Sequence, residues 1–181
     1  MIFFRMFLAT TASLLLLCSA AIAFNGIDSP HSLPKEIAFH GFELSNAFQQ
    51  SQGEQYIVEY IPSAESLDKW STMFAVRKQE IPSAPLEHAI KLAQSITQQN
   101  PKLGANVHFK KETPDKAMVT FIAVGGDIVE YNIWKFMKVK GYNGLISYQF
   151  AIRNYGELTK GFRAILNKPQ PLIDSMRDYS L

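Results

Sequence analysis

The stretch from residue 118 to 153 constrains the fold more than any other part of the chain. It holds three segments of β character, 118–124, 128–139 and 145–153, separated by two short glycine turns. Gly125-Gly126-Asp127 and Gly141-Tyr142-Asn143-Gly144 can both take the positive dihedrals of tight hairpins. Strands joined by so few residues must run antiparallel, because a parallel crossover needs a dozen residues or more. In 128–139 one face carries Val129, Tyr131, Ile133, Met137 and Val139, while the other still holds Ile128, Trp134 and Phe136. A sheet with one wet side alternates more cleanly, so this pattern implies cover on both sides.

The rest of the chain supplies further strands and two helices. A first strand is expected over 37–48, with a hairpin loop over 49–55 centred on Gly53. The aromatic and β-branched run 56–61 is a strand stopped by Pro62, and 70–78 is another. Short β character returns at 106–111. Residues 85–99 form the best helix: Pro85 suits a first turn, Leu86, Ala89, Ile90, Ala93 and Ile96 share one face, and Asn100-Pro101 ends it. A closing helix is expected over 156–167, broken by Pro169 and Pro171 and followed by a polar stub. Strands, helix, antiparallel strands and helix make an α+β domain. The expected architecture is a central antiparallel β-sheet with helices packed on both faces, a three-layer sandwich spanning 37–181, after a flexible leader over 24–36.

The opening 23 residues read as a secretory signal peptide. Arg5 gives a short positive start, 6–17 is mostly apolar, and small residues at Ala21 and Ala23 define an A-x-A site cut before Phe24. An uncleaved anchor would need about 20 apolar residues, and Thr10, Thr11 and Ser13 interrupt this run. A lipoprotein would use Cys18, but Leu17 stands where that processing prefers a small residue. Cys18 is the sole cysteine, so the mature chain of 158 residues has no thiol for a disulfide, a nucleophile or a thiolate metal site. Its 17 basic and 16 acidic side chains nearly balance, which gives no reason to expect nucleic acid or an anionic membrane as partner. No stable membrane span is expected after signal removal.

Glu59-Tyr60-Ile61-Pro62, then Trp70-Ser71-Thr72-Met73-Phe74, and the late run 119–153 carry a resemblance. The chain resembles small exported bacterial proteins of unassigned function, and its arrangement is similar to PsbP-like domains, which are antiparallel sheets with helices on both sides. PsbP-like proteins of photosynthetic lineages are accessory subunits of a membrane complex. The resemblance implies fold and general style, and it supplies neither an activity nor site residues.

Candidate chemistry is sparse. His31, His40, His88 and His108 are dispersed, and no pair has the i, i+4 spacing that would offer two nitrogens to one metal. No Gly-x-Ser-x-Gly occurs; Ser63, Ser66, Ser83 and Ser147 fit turn, cap or sheet positions. Glu54, Glu59, Asp127 and Glu130 could supply paired carboxylates, though their separation is not written in the sequence. The loop at Gly125-Gly126-Asp127 leads into a strand rather than a helix, so it is a hairpin and not a phosphate cradle. No catalytic residue, metal site or cofactor is assigned.

One surface stands out. If the second glycine turn pairs Val139 with Ile146, then Trp134 opposes Ala151, Phe136 opposes Gln149 and Asn132 opposes Arg153. Trp134, Phe136, Lys138 and Arg153 would then share one sheet face mixing aromatic area with positive charge. The competing expectation places Trp134 and Phe136 under the closing helix as core, and Trp70 is likewise expected to be a core anchor.

These readings favour an exported, non-enzymatic binding or accessory domain of a Gram-negative-type bacterium, periplasmic or secreted, with a protein or envelope component as partner. Two alternatives stay open: an envelope hydrolase using dispersed acids and His88 or His108, and a small-ligand carrier with a cavity between sheet and helix.

Overall fold

A computed structural model describes residues 29–99, 108–139 and 141–181. The expected signal segment, its cleavage site and the first part of the leader lie outside the described residues. Eight strands form one antiparallel sheet: β1 (Glu36–Phe39), β2 (Phe42–Gln52), β3 (Gln55–Ile61), β4 (Thr72–Gln79), β5 (His108–Thr113), β6 (Lys116–Gly125), β7 (Ile128–Lys138) and β8 (Leu145–Tyr155). Their spatial order is β1-β2-β3-β4-β8-β7-β6-β5, so two meanders meet where β4 pairs with β8. Three helices complete the fold: α1 (Pro85–Gln99), α2 (Lys160–Asn167) and α3 (Gln170–Asp178).

Local chemistry explains the boundaries. The strand expected over 37–48 is split by a hairpin at His40 (φ 49°) and Gly41 (φ 84°), the positive pair a primed turn requires. Beyond it β2 runs on to Gln52, and Gly53 (φ 60°) opens the next turn. Thr159 caps α2, its hydroxyl accepting from the Phe162 amide at 3.2 Å. The expected polar stub is instead helix α3. Pro171 falls in its first turn, where a missing N–H breaks nothing.

The three-layer sandwich is not what forms. The described chain is 47% strand and 25% helix, and the sheet curls into a half-barrel. Phe39 of β1 and Phe150 of β8 are four strands apart, roughly 19 Å in a flat sheet, yet their rings lie 4.5 Å apart. The concave side therefore fills itself with its own side chains, among them Phe39, Tyr60, Phe74, Ile133 and Phe150. Leu172 and Met176 of α3 join this cluster, and Tyr179 just beyond packs on Phe39 and Phe74. The Lys135 ammonium holds this end in place by donating to the carbonyls of Arg177 (2.7 Å) and Tyr179 (2.8 Å). On the convex side α1 packs at the β5–β7 end, through Ala89, Ala93 and Ile96. The apolar residues read on both strand faces are thus covered mainly by sheet curvature, not by two helical layers.

Candidate functional site

Side chains alternate across each strand, so the register places every second residue of the central strands on the convex face. Glu59 of β3, Arg77 of β4, Ser147, Gln149 and Arg153 of β8, and Glu130, Asn132 and Trp134 of β7 share it. Six of them (Glu59, Arg77, Glu130, Asn132, Ser147 and Gln149) are buried, which is costly unless each polar group finds a partner. Two assemblies of the same residue types, Glu, Arg and Trp, occupy this face, and they solve that problem differently.

In the first, Glu130 and Arg153 are directly opposite in the β7–β8 ladder. Directly opposed Cβ atoms lie about 5 Å apart, a reach that a carboxylate and a guanidinium close easily. Arg153 donates from Nε (2.9 Å) and Nη2 (2.8 Å) to Glu130 Oε2. The other carboxylate oxygen accepts from Asn132 Nδ2 at 2.9 Å, and Asn132 Oδ1 accepts from Gln149 at 2.8 Å. The guanidinium lies 3.6 Å from the Trp70 ring centroid. The Trp70 backbone is tied in turn to the Tyr155 hydroxyl, which accepts from its N–H at 3.1 Å and donates to its carbonyl at 3.0 Å. None of its buried side-chain polar atoms is left without a partner among the described residues.

In the second, Arg77 opposes Ile57 and Glu59 opposes Ala75, so acid and base sit on a diagonal. Diagonal neighbours are about 7–8 Å apart, and the pair closes only to a single 3.5 Å contact, Arg77 Nη2 to Glu59 Oε1. The guanidinium lies 4.7 Å from the Trp134 ring centroid. Arg77 Nη1, Trp134 Nε1 and Ser147 Oγ are buried and have no hydrogen-bond partner among the described residues. Ser147 is directly opposite Arg77, and Trp134, opposite Gln149, is two pairs from Ser147 along β7–β8, the next pair on this face. Three unmet donors thus cluster on adjacent strands, each costing about 1–3 kcal/mol while unmet. Burial pushes the Glu59 carboxyl up against the opposing pull of Arg77, and burial pulls the Arg77 guanidinium down to about 10 against the pull of Glu59. Both shifts favour the neutral forms, so attraction across 3.5 Å does not offset desolvation.

The four residues expected to form a patch do share the convex face, but the register differs by two. Trp134 opposes Gln149, Phe136 opposes Ser147 and Asn132 opposes Ala151. Phe136 is fully buried beneath α1, edge-on to His88 at 4.9 Å, rather than beneath the closing helix. Trp134 is partly exposed and stacks on Phe136 at 5.6 Å. Lys138 is exposed at the strand end, and Arg153 is enclosed by Glu130 and Trp70. Of the four, Trp134 alone supplies an unmet donor, and Phe136 lies directly opposite another, Ser147. Arg77 and Ser147 were missed as site residues. The one available signal was a charge inside an apolar β run, as at Glu59 within 56–61 and Arg77 after Phe74-Ala75-Val76.

The remaining candidates are scattered. His31 lies 3.4 Å from Gln49, and His40 lies 2.7 Å from the Ser175 hydroxyl. His88 rests on Phe136, and burial, ahead of the Lys91 charge, pulls its imidazole below the usual value. His108 begins β5 opposite Thr120. Glu59 and Glu130 occupy one face but engage different arginines, and Asp127 sits in the β6–β7 turn. Among the described residues no three potential metal-ligating side chains gather, and no helix is long and apolar enough to cross a membrane. A groove of about 450 Å³, lined in part by His31, Lys35, Asn46 and Gln49, opens at the β1–β2 edge.

Fold and site define a curled antiparallel-sheet domain with a buried, incompletely paired polar cluster on its convex face. A protein-family model matches residues 31–181, and the chain belongs to that family, which is uncharacterised. No curated protein and no solved structure matches it.

Proposed function

We propose that this protein is an exported bacterial domain that acts in the periplasm or outside the cell as a non-enzymatic binding or accessory protein. Its partner is a protein or envelope component, engaged through the convex face around Trp134. The export half of this reading is supported by the apolar opening stretch and the Ala21, Ala23 spacing ahead of Phe24. The binding half is carried by one observation: Arg77, Trp134 and Ser147 cluster three donors that the described residues leave unmet. Buried donors without acceptors are a standing cost, and a bound partner offering acceptors removes it.

Two measurements test the two halves. Mass determination on protein from the envelope fraction is expected to find Phe24 as the first residue; intact chain in the cytosol overturns export. A photo-crosslinking residue placed at Trp134 is expected to give a discrete adduct in the envelope. The same residue at exposed Lys116, on the other face of the sheet, gives none. Equal labelling from both positions, or none from 134, overturns the convex face as the binding surface.

A further inference from the structure

We infer that Arg77, Trp134 and Ser147 form a receptor for a carboxylate group, an inference that rests on the convex face being the binding surface. The indole N–H and the guanidinium can only donate, and the serine hydroxyl can donate as well. Whatever satisfies them presents acceptors. Arg77 is more than nine-tenths buried, its Nη1 is unmet, and its one acidic neighbour stands off at 3.5 Å.

The second assembly on the same face supplies the standard. There a guanidinium donates two hydrogen bonds of 2.8 and 2.9 Å to one carboxylate oxygen. Arg77 has one long contact in place of two short ones and is under-neutralised by the same measure, which favours an anionic ligand over a neutral carbonyl. The charge count limits that ligand. With Glu59 neutral, the form its burial favours, Arg77 balances one negative charge, so a monoanionic carboxylate is matched where a dianionic phosphate leaves an excess in a buried site. The ring of Trp134 is already engaged by Phe136 and Arg77, so what it has left to give is its buried, unmet Nε1–H. That disfavours a sugar stacked on the indole and favours a group that accepts a hydrogen bond. Trp134 is also the partly exposed member of the three, which puts the entrance at its side of the cluster.

The chain has two tryptophans, so its nitrogen-15 spectrum carries two indole N–H signals. Trp134→Phe assigns them. Sodium acetate is titrated against sodium chloride at equal ionic strength, and a short alanine peptide with a free C-terminal carboxyl is titrated against its amide. The Trp134 signal is expected to move saturably with acetate and with the acid peptide, while chloride and the amide leave it in place and the Trp70 signal stays fixed. Ser147→Ala is expected to weaken binding about fivefold, one hydrogen bond's worth, and Arg77→Gln to abolish it; an unmoved Trp70 signal reports that both variants fold. Tighter binding of the peptide than of acetate assigns the group to a polypeptide terminus, and the reverse assigns it to a small organic acid. Absence of saturable movement, or equal movement with the amide, overturns the carboxylate and leaves trapped water as the partner. Crosslinks from position 134 that persist in that case preserve the binding surface, whereas their loss alongside acetate binding overturns the surface alone.

Discussion

The convex face holds two versions of one residue set, and their difference lies in ladder geometry, not composition. Glu130 and Arg153 face each other across one rung, while Glu59 and Arg77 are offset by a diagonal. The direct pair closes to 2.8 Å and recruits Asn132, Gln149 and Trp70; the diagonal pair stops at 3.5 Å and leaves Arg77 Nη1 unmet. A two-residue step in register thus separates an assembly that stabilises the sheet from one that holds donors in reserve. Buried ion pairs offset their desolvation only when geometry is good and the remaining lone pairs are filled. By that criterion the first pair is part of the fold's framework and the second is available for binding.

The largest effect follows from deleting each arginine. Arg153→Met strips Glu130 of its buried counter-charge and is expected to cost about 3–5 kcal/mol. Arg77→Met is expected to stay within about 1 kcal/mol of the parent, because Glu59, already pushed up by burial, can take a proton. Urea unfolding of the two variants at neutral pH reads both. Equal losses would mean that the diagonal pair is as structural as the direct one, and the comparison would collapse.

Parts of this contrast were legible in the sequence and parts were not. Periodicity placed Trp134 and Arg153 on one face even though the inferred register was two residues out. A slip of two preserves the face because side chains repeat every two residues. Helix 85–99 was legible because Pro85 and Asn100-Pro101 bracket a clean apolar stripe. Helix α3 was hidden by Pro169 and Pro171, whose tolerance at a helix start looks in sequence like a break. The turn at His40 was hidden because a non-glycine residue takes positive φ there. Curvature was the main loss. Apolar residues on both faces of a strand say that both are covered, but not whether helices or the sheet itself supplies the cover. The Glu59–Arg77 diagonal needed the β3–β4 register, which no local pattern encodes.

A smaller effect separates the two tryptophans. Tyr155→Phe removes the hydroxyl that ties the Trp70 backbone and is expected to cost about 1–3 kcal/mol. Trp134→Phe deletes a donor that has no partner and is expected to change stability by about 1 kcal/mol or less. Ser147→Ala follows the same logic and is expected to be neutral or slightly stabilising, since an unmet buried hydroxyl is removed. Thermal melts of the three, run side by side, check the order. A clear loss from Ser147→Ala would show that its hydroxyl is already bonded within the fold.

The smallest effect is a pH slope, and its sign is fixed by proton counting. Glu59 titrates above its ordinary 4.5 in the folded chain, so the folded state holds the proton longer than the unfolded state. Its contribution to stability is full below 4.5 and falls away as pH rises through the raised value. His88 runs the other way. Its folded value lies below 6.5, so the unfolded state binds the proton first, and its contribution is full above 6.5 and lost as pH falls through the lowered value. Glu59→Gln is therefore expected to make stability rise more, or fall less, from pH 5 to pH 7, and His88→Gln to do the opposite. Urea midpoints at the two pH values read the difference. If Glu59→Gln leaves the slope unchanged, Glu59 titrates as a fully paired carboxylate, and the looseness of the diagonal assembly disappears with it.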